Sequence, residues 1–147
     1  KNKQTIKSKK MKNLVLTICI LFTSLLSLSQ EGITITVTID NVTSNQGTVG
    51  MALHTAETFM KAAPVMTKSS TIENNKVVIT FENVKPGEYA ILANHDANSN
   101  GKMDFRENGM PLESYGASNN VMNFGPPQYS DAKFTVTDKN LELNIRF

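Results

Sequence analysis

Ile33-Thr34-Ile35-Thr36-Val37-Thr38-Ile39-Asp40 alternates β-branched apolar residues with threonine or aspartate at every step. A period of two sends alternate side chains to opposite faces of an extended chain. The stretch therefore predicts a strand with one buried face and one wet threonine face. Val49, Met51 and Leu53 repeat the pattern after Ser44-Asn45-Gln46-Gly47, so the first two strands are expected to form a hairpin. Val77, Ile79 and Phe81 mark a third clear strand, after an Asn74-Asn75 turn and a weaker strand around residues 68–73. Pro86-Gly87 introduces Tyr89, Ile91 and Ala93, in a strand expected over residues 89–95. Phe134 and Val136 are followed by an Asp138-Lys139-Asn140 turn and by Leu141, Leu143, Ile145 and Phe147. Only residues 57–62 suggest a helical turn, with Thr55 as its cap.

About seven short strands with regularly spaced turns predict an all-β fold. The expected architecture is a single antiparallel β-sandwich of immunoglobulin or transthyretin type with one long ordered loop.

The domain is expected to begin near Gln30. Residues 1–29 contain Lys1, Lys3, Lys7, Lys9, Lys10 and Lys12, followed by the uncharged run LVLTICILFTSLLSL at residues 14–28. A basic segment, an apolar run of this length and the small residues Ser27 and Ser29 predict a secretory signal, with Met11 as its natural initiator. A transmembrane anchor needs about 20 apolar residues, which the run does not reach. The whole chain carries 15 basic and 13 acidic residues; without the six leader lysines, 9 basic remain against 13 acidic, near −4. The basic balance thus belongs to the leader, and no nucleic-acid surface is expected. The lone cysteine, Cys19, also lies in the leader, so the residues after it have no disulfide. An exported chain, periplasmic or extracellular, is expected.

Residues 96–130 break the alternation and hold four of the eight glycines and three of the five prolines. Loops beyond about 12–15 residues are usually functional or disordered. This one contains Phe105, Tyr115, Phe124 and Tyr129 with Met103, Met110 and Met122, and is expected to be ordered and packed by its own side chains. It opens with Asp96-Ala97-Asn98-Ser99-Asn100-Gly101-Lys102-Met103-Asp104-Phe105-Arg106-Glu107, which matches the calcium pattern D-x-[DN]-x-[DN]-G-x5-E without a gap. Calcium takes six to eight oxygen ligands. Asp96, Asn98 and Asn100 aim alternate side-chain oxygens at one centre, Gly101 permits the sharp turn, and Lys102 offers its carbonyl. Asp104 and Glu107 supply further carboxylates, with Glu113 as a second candidate for the last position. The competing reading is a plain polar turn, since the same residues build turns. The strand before the loop, and Gly109 and Pro111 after it, leave no place for the helices of an EF-hand.

For catalysis, the sequence has no serine elbow and no thiol after the leader. His54 and His95 stand at strand ends, where a hydrogen-bonded structural role is expected. Asp104, Glu107 and Glu113 could supply a carboxylate pair for glycan hydrolysis, but any acidic calcium loop contains the same residues.

Four motifs occur in order: Pro86-Gly87-Glu88-Tyr89-Ala90; His95-Asp96 running into the calcium pattern; Gly109-Met110-Pro111-Leu112-Glu113-Ser114-Tyr115-Gly116-Ala117-Ser118-Asn119-Asn120; and Phe124-Gly125-Pro126-Pro127. Together they resemble the DUF2141 family of bacterial exported proteins, over roughly residues 33–147. The resemblance implies an exported single-domain β protein and brings no activity with it. It also implies an apolar residue where this chain has Glu107, leaving Asp96, Asn98, Asn100 and Asp104 as the stronger ligands. Pro86-Gly87-Glu88-Tyr89 is similar to transthyretin-like modules too. The transthyretin-related hydrolase needs several histidines and a Tyr-Arg-Gly-Ser sequence, and this chain has two histidines and no such tetrapeptide. The expected function is an exported, non-catalytic module with a structural calcium loop. The alternatives are a hydrolase using the loop carboxylates and an assembly partner of an envelope complex.

Overall fold

The structure, a computed structural model, describes residues 32–121 and 125–147. The expected targeting segment and its cleavage site lie outside the described residues, as do Met122 and Phe124. Strand β1, Ile33–Ile39, has the burial its sequence requires: Ile33, Ile35, Val37 and Ile39 are buried and the threonines between them are half-exposed. The other strands are β2 (Thr48–His54), β3 (Met66–Thr71), β4 (Val77–Val84), β5 (Gly87–Asp96), β6 (Tyr115–Ala117), β7 (Phe134–Val136) and β8 (Leu141–Asn144). One sheet has the order β4-β1-β8; the other runs β3-β2-β5-β6, with β7 also paired to β5. The all-β sandwich is as the alternation predicts, with eight strands among the described residues.

The two sheets close over a single main core. Ile35 sits opposite Phe81 and Val37 opposite Ile79 in the β1–β4 pair. From the other sheet, Val49, Met51, Leu53, Ile91 and Ala93 face them, all essentially inaccessible. Full burial of each large side chain is worth about 1.5–3 kcal/mol, so this layer is the main source of stability.

Several expectations need correction. Strands β1 and β2 do not form a hairpin. β1 pairs with β4 and β8, whereas β2 pairs with β3 and β5. Residues 41–47 instead carry the chain from one sheet to the other. They are stitched to the Asn74-Asn75 turn: Val42 N donates to Asn75 O, and Asn75 Nδ2 donates back to Val42 O at 2.7 Å. That turn is as expected, with both asparagines at positive φ, and it releases β3 and β4 into different sheets. The sandwich also contains one parallel pair, β1 with β8, which sets Ile35 beside Leu141 and Val37 beside Leu143. Parallel neighbours need a long connection, and here nearly the whole domain lies between them.

Residues 57–62 form consecutive turns rather than a helix. The backbone bonds from Phe59 to Thr55 and from Ala62 to Thr58 are helix-like, but Met60 at φ 56° breaks the run. Thr55 does not cap it; Thr58 Oγ1 accepts from Thr55 N instead. Phe59 from this segment packs with Ala90 and Ala132 on the outer face of β5. The α-helical turn, α1, lies at Tyr129–Ala132.

Candidate metal centre

β5 delivers Asp96 to the end of its sheet, where it pairs with Thr48 and is only 7% exposed. Its carboxylate faces the loop that follows. Oδ1 accepts from Asn100 N at 3.0 Å and Oδ2 from Gly101 N at 2.8 Å. Ser99 and Gly101 adopt positive φ, 59° and 75°, on either side of Asn100. That alternation winds the chain tightly around the first carboxylate. Gly101 makes the sharp turn that its place in the pattern requires.

Asn98, Asn100 and Asp104 then meet. Nδ2 of Asn98 and Nδ2 of Asn100 donate to the same atom, Asp104 Oδ2, at 2.6 and 2.8 Å. Their own oxygens accept backbone N–H groups, Asn98 Oδ1 from Asn100 and Asn100 Oδ1 from Lys102. Four of the six sequence-expected residues are thus brought together: Asp96, Asn98, Asn100 and Asp104. Lys102 contributes a backbone N–H to the cluster, and its side chain is exposed.

The structure does not draw Glu107 into this cluster. Arg106 N donates to Met110 O and Gly109 N donates to Arg106 O, each at 2.8 Å. With Gly109 at φ 79°, residues 106–110 form a three-residue hairpin turn with a glycine bulge. Glu107 stands exposed at its tip. Leu112 N donates to Asp104 O at 2.8 Å and Phe105 bridges Pro111, so the returning arm runs back along the loop. It brings Glu113 to where the twelfth position was expected to act: Oε1 accepts from Ala97 N at 3.1 Å and Oε2 from Asp104 N at 3.3 Å. Glu113 therefore ties the two ends of the loop together. The Asn108-Gly109 pair was the available signal, since Asn-Gly marks a tight reversal.

The apolar side chains of the loop divide. Phe105, Met110 and Leu112 are more than half exposed, whereas Tyr129 packs edge-on against Phe59 with centroids 5.7 Å apart; polar bonds hold the first part of the loop, residues 96–104. Beyond it, β6 pairs with Leu92–Asn94 on the edge of β5, and β7 pairs with Gly87–Tyr89. The gap between these short strands is closed by Ser118, whose hydroxyl accepts from Ile91 N at 2.9 Å and donates to Ala132 O.

His95 is hydrogen-bonded and buried at the strand end. Its Nε2 meets Gln46 O at 2.8 Å, and the ring stacks on Phe147 with centroids 6.4 Å apart. His54 is likewise buried, beside Thr58 Oγ1 and edge-on to Phe59. Burial pushes its pKa below the usual histidine value, and hydrogen bonding to the Thr58 backbone opposes that only in part.

A family model for uncharacterised proteins conserved in bacteria, DUF2141, matches residues 37–144. The chain belongs to the DUF2141 family. That match spans the sandwich from β1 to β8 and includes the entire loop. No curated protein and no solved structure matches the chain. Among the described residues, this DUF2141 domain has no helix long and apolar enough to cross a membrane. Nor do three or more histidine, cysteine, aspartate or glutamate side chains converge on a metal-sized point among them. Any cation at the loop would have to be held by amide and backbone oxygens as well as carboxylates, a donor set suited to a hard ion.

Proposed function

We propose that this DUF2141 domain is an exported, non-catalytic β-sandwich module whose loop at residues 96–107 binds calcium. The observation that carries the reading is the convergence of Asn98, Asn100 and Asp104 beside the buried Asp96. In the described arrangement two amide N–H groups supply the positive partner of Asp104. Each amide oxygen carries two lone pairs, so Asn98 Oδ1 and Asn100 Oδ1 can face a cation while still accepting their backbone N–H groups. A cation then takes the place of the two N–H groups, with Asp96, Asn98, Asn100, Asp104 and the Lys102 carbonyl as its holders. Glu113 positions the loop ends, and Glu107 contributes little.

The hydrolase alternative requires two carboxylates across one cleft. A cleft of about 370 Å³ beside β6 has one carboxylate in its lining, Asp131. The assembly-partner alternative draws support from the exposed Phe105, Met110 and Leu112 on the hairpin, since grouped exposed apolar residues favour contact with another surface.

Calcium titration by calorimetry of the exported protein tests the proposal. Saturable binding with a dissociation constant of about 0.1 mM is expected, lost in Asp96→Ala and retained in Glu107→Ala. Absence of heat at millimolar calcium would reduce the loop to a polar turn.

A further inference from the structure

The loop contains the two Asn-Gly pairs of the chain, Asn100-Gly101 and Asn108-Gly109. Glycine has no Cβ to shield its backbone nitrogen, which can attack the preceding asparagine at Cγ. A bond forms between that nitrogen and Cγ, the Cγ–Nδ2 bond breaks, and ammonia leaves with the proton from the glycine nitrogen. Water then opens the cyclic imide at either carbonyl, leaving aspartate or isoaspartate. Nothing is oxidised or reduced.

The two pairs meet different surroundings. Gly101 N donates to the buried carboxylate of Asp96 at 2.8 Å. Attack requires this nitrogen to lose its proton, and a negative charge at that distance opposes the developing anion. Both ends of the Asn100 amide are also held, Oδ1 by Lys102 N and Nδ2 by Asp104. Gly109 N, by contrast, donates only to the neutral carbonyl of Arg106, at an exposed hairpin tip. Asn108 is held through Oδ1 alone, by Met110 N at 3.2 Å. Such a tip opens locally at small cost.

We infer that Asn108 is a site of spontaneous deamidation in the folded protein, and that Asp96 protects Asn100 from the same reaction. The inference does not depend on calcium binding, and its test is run with a chelator present.

The purified protein is aged in mildly alkaline buffer, and the acid content of each Asn-Gly peptide is followed by mass spectrometry. Asn108 is expected to convert roughly ten- to a hundredfold faster than Asn100 in the folded chain. In guanidinium the two rates should come together. Asp96→Asn keeps an acceptor oxygen but removes the charge, and should accelerate Asn100 alone. Gly109→Ala should slow Asn108 alone. Equal rates in the folded chain, or a fold-independent preference that persists in guanidinium, would overturn the inference. Near-ultraviolet circular dichroism of Asp96→Asn separates lost protection from lost structure; an unchanged Asn100 rate in a folded variant overturns the role of Asp96.

Discussion

Ser118 shows how much one side chain can carry in a sheet with a broken edge. Its hydroxyl supplies Ile91 N with the acceptor that neither β6 nor β7 reaches. Ser118→Ala leaves a buried N–H and the Ala132 carbonyl without that partner, and should cost about 1–3 kcal/mol in a denaturant titration. A loss below about 0.5 kcal/mol would mean that water replaces the hydroxyl. His54 gives a pH signature. Its folded-state pKa lies below the ordinary 6.5 because burial disfavours the charged ring. Its contribution to stability is therefore intact above pH 6.5 and falls as the pH drops from 6.5 towards the lowered folded value, since the unfolded chain takes up the proton first. Melting curves between pH 7.5 and about 5 should show this slope, reduced in His54→Gln. Neither role can be read from residue type: serine and histidine at these positions are common at strand ends, and only the surrounding backbone gives them work.

At the scale of elements, the period-two strands were legible and their partners were not. Val49, Met51 and Leu53 do face the core, but from the sheet opposite β1. In a sandwich, both sheets turn an apolar face inward, so alternation identifies the inward face without identifying the sheet. β6 gives no periodic signal because its three residues, Tyr115, Gly116 and Ala117, are too few to alternate. In the candidate site, Asp96, Asn98, Asn100 and Asp104 were legible because consecutive turns bring alternate residues together locally. Glu113 took its place only through the hairpin, 9 residues beyond Asp104. This separates two carboxylates of equal charge. Glu113→Gln weakens the acceptor for Ala97 N and Asp104 N and should lower stability by about 0.5–1.5 kcal/mol, whereas Glu107→Gln should lie within about 0.5 kcal/mol of the parent. Parallel denaturant titrations check the contrast; equal losses would mean that the hairpin does not hold the two apart.

For the whole molecule, the proposed ion couples the loop to the sandwich. Asp96 belongs both to β5 and to the loop, so a cation held there binds the folded domain and not the unfolded chain. With a dissociation constant of about 0.1 mM, 1 mM calcium adds roughly 1.4 kcal/mol, or about 4–7 °C in melting temperature for a domain of this size. Differential scanning calorimetry with calcium and with chelator should show that rise in the parent and in Lys61→Ala, and none in Asp96→Ala. Identical melting in both conditions would dispose of the coupling.

Alternation and turn chemistry alone dictate that this DUF2141 chain is an all-β sandwich, which face of each long strand is buried and where the Asn74-Asn75 reversal falls; they offer six residues for the loop, of which the fold gathers Asp96, Asn98, Asn100 and Asp104. All of these depend on interactions within a few positions along the chain, where side-chain period and turn chemistry are decisive. Tertiary structure alone decided that β1 and β2 part into different sheets, that β8 lies parallel to β1, that Ser118 closes the ladder of β5, and that Glu113 rather than Glu107 ties the loop. Those outcomes join residues far apart in sequence, and many pairings of equally amphipathic strands satisfy the same local pattern until the closed core selects one.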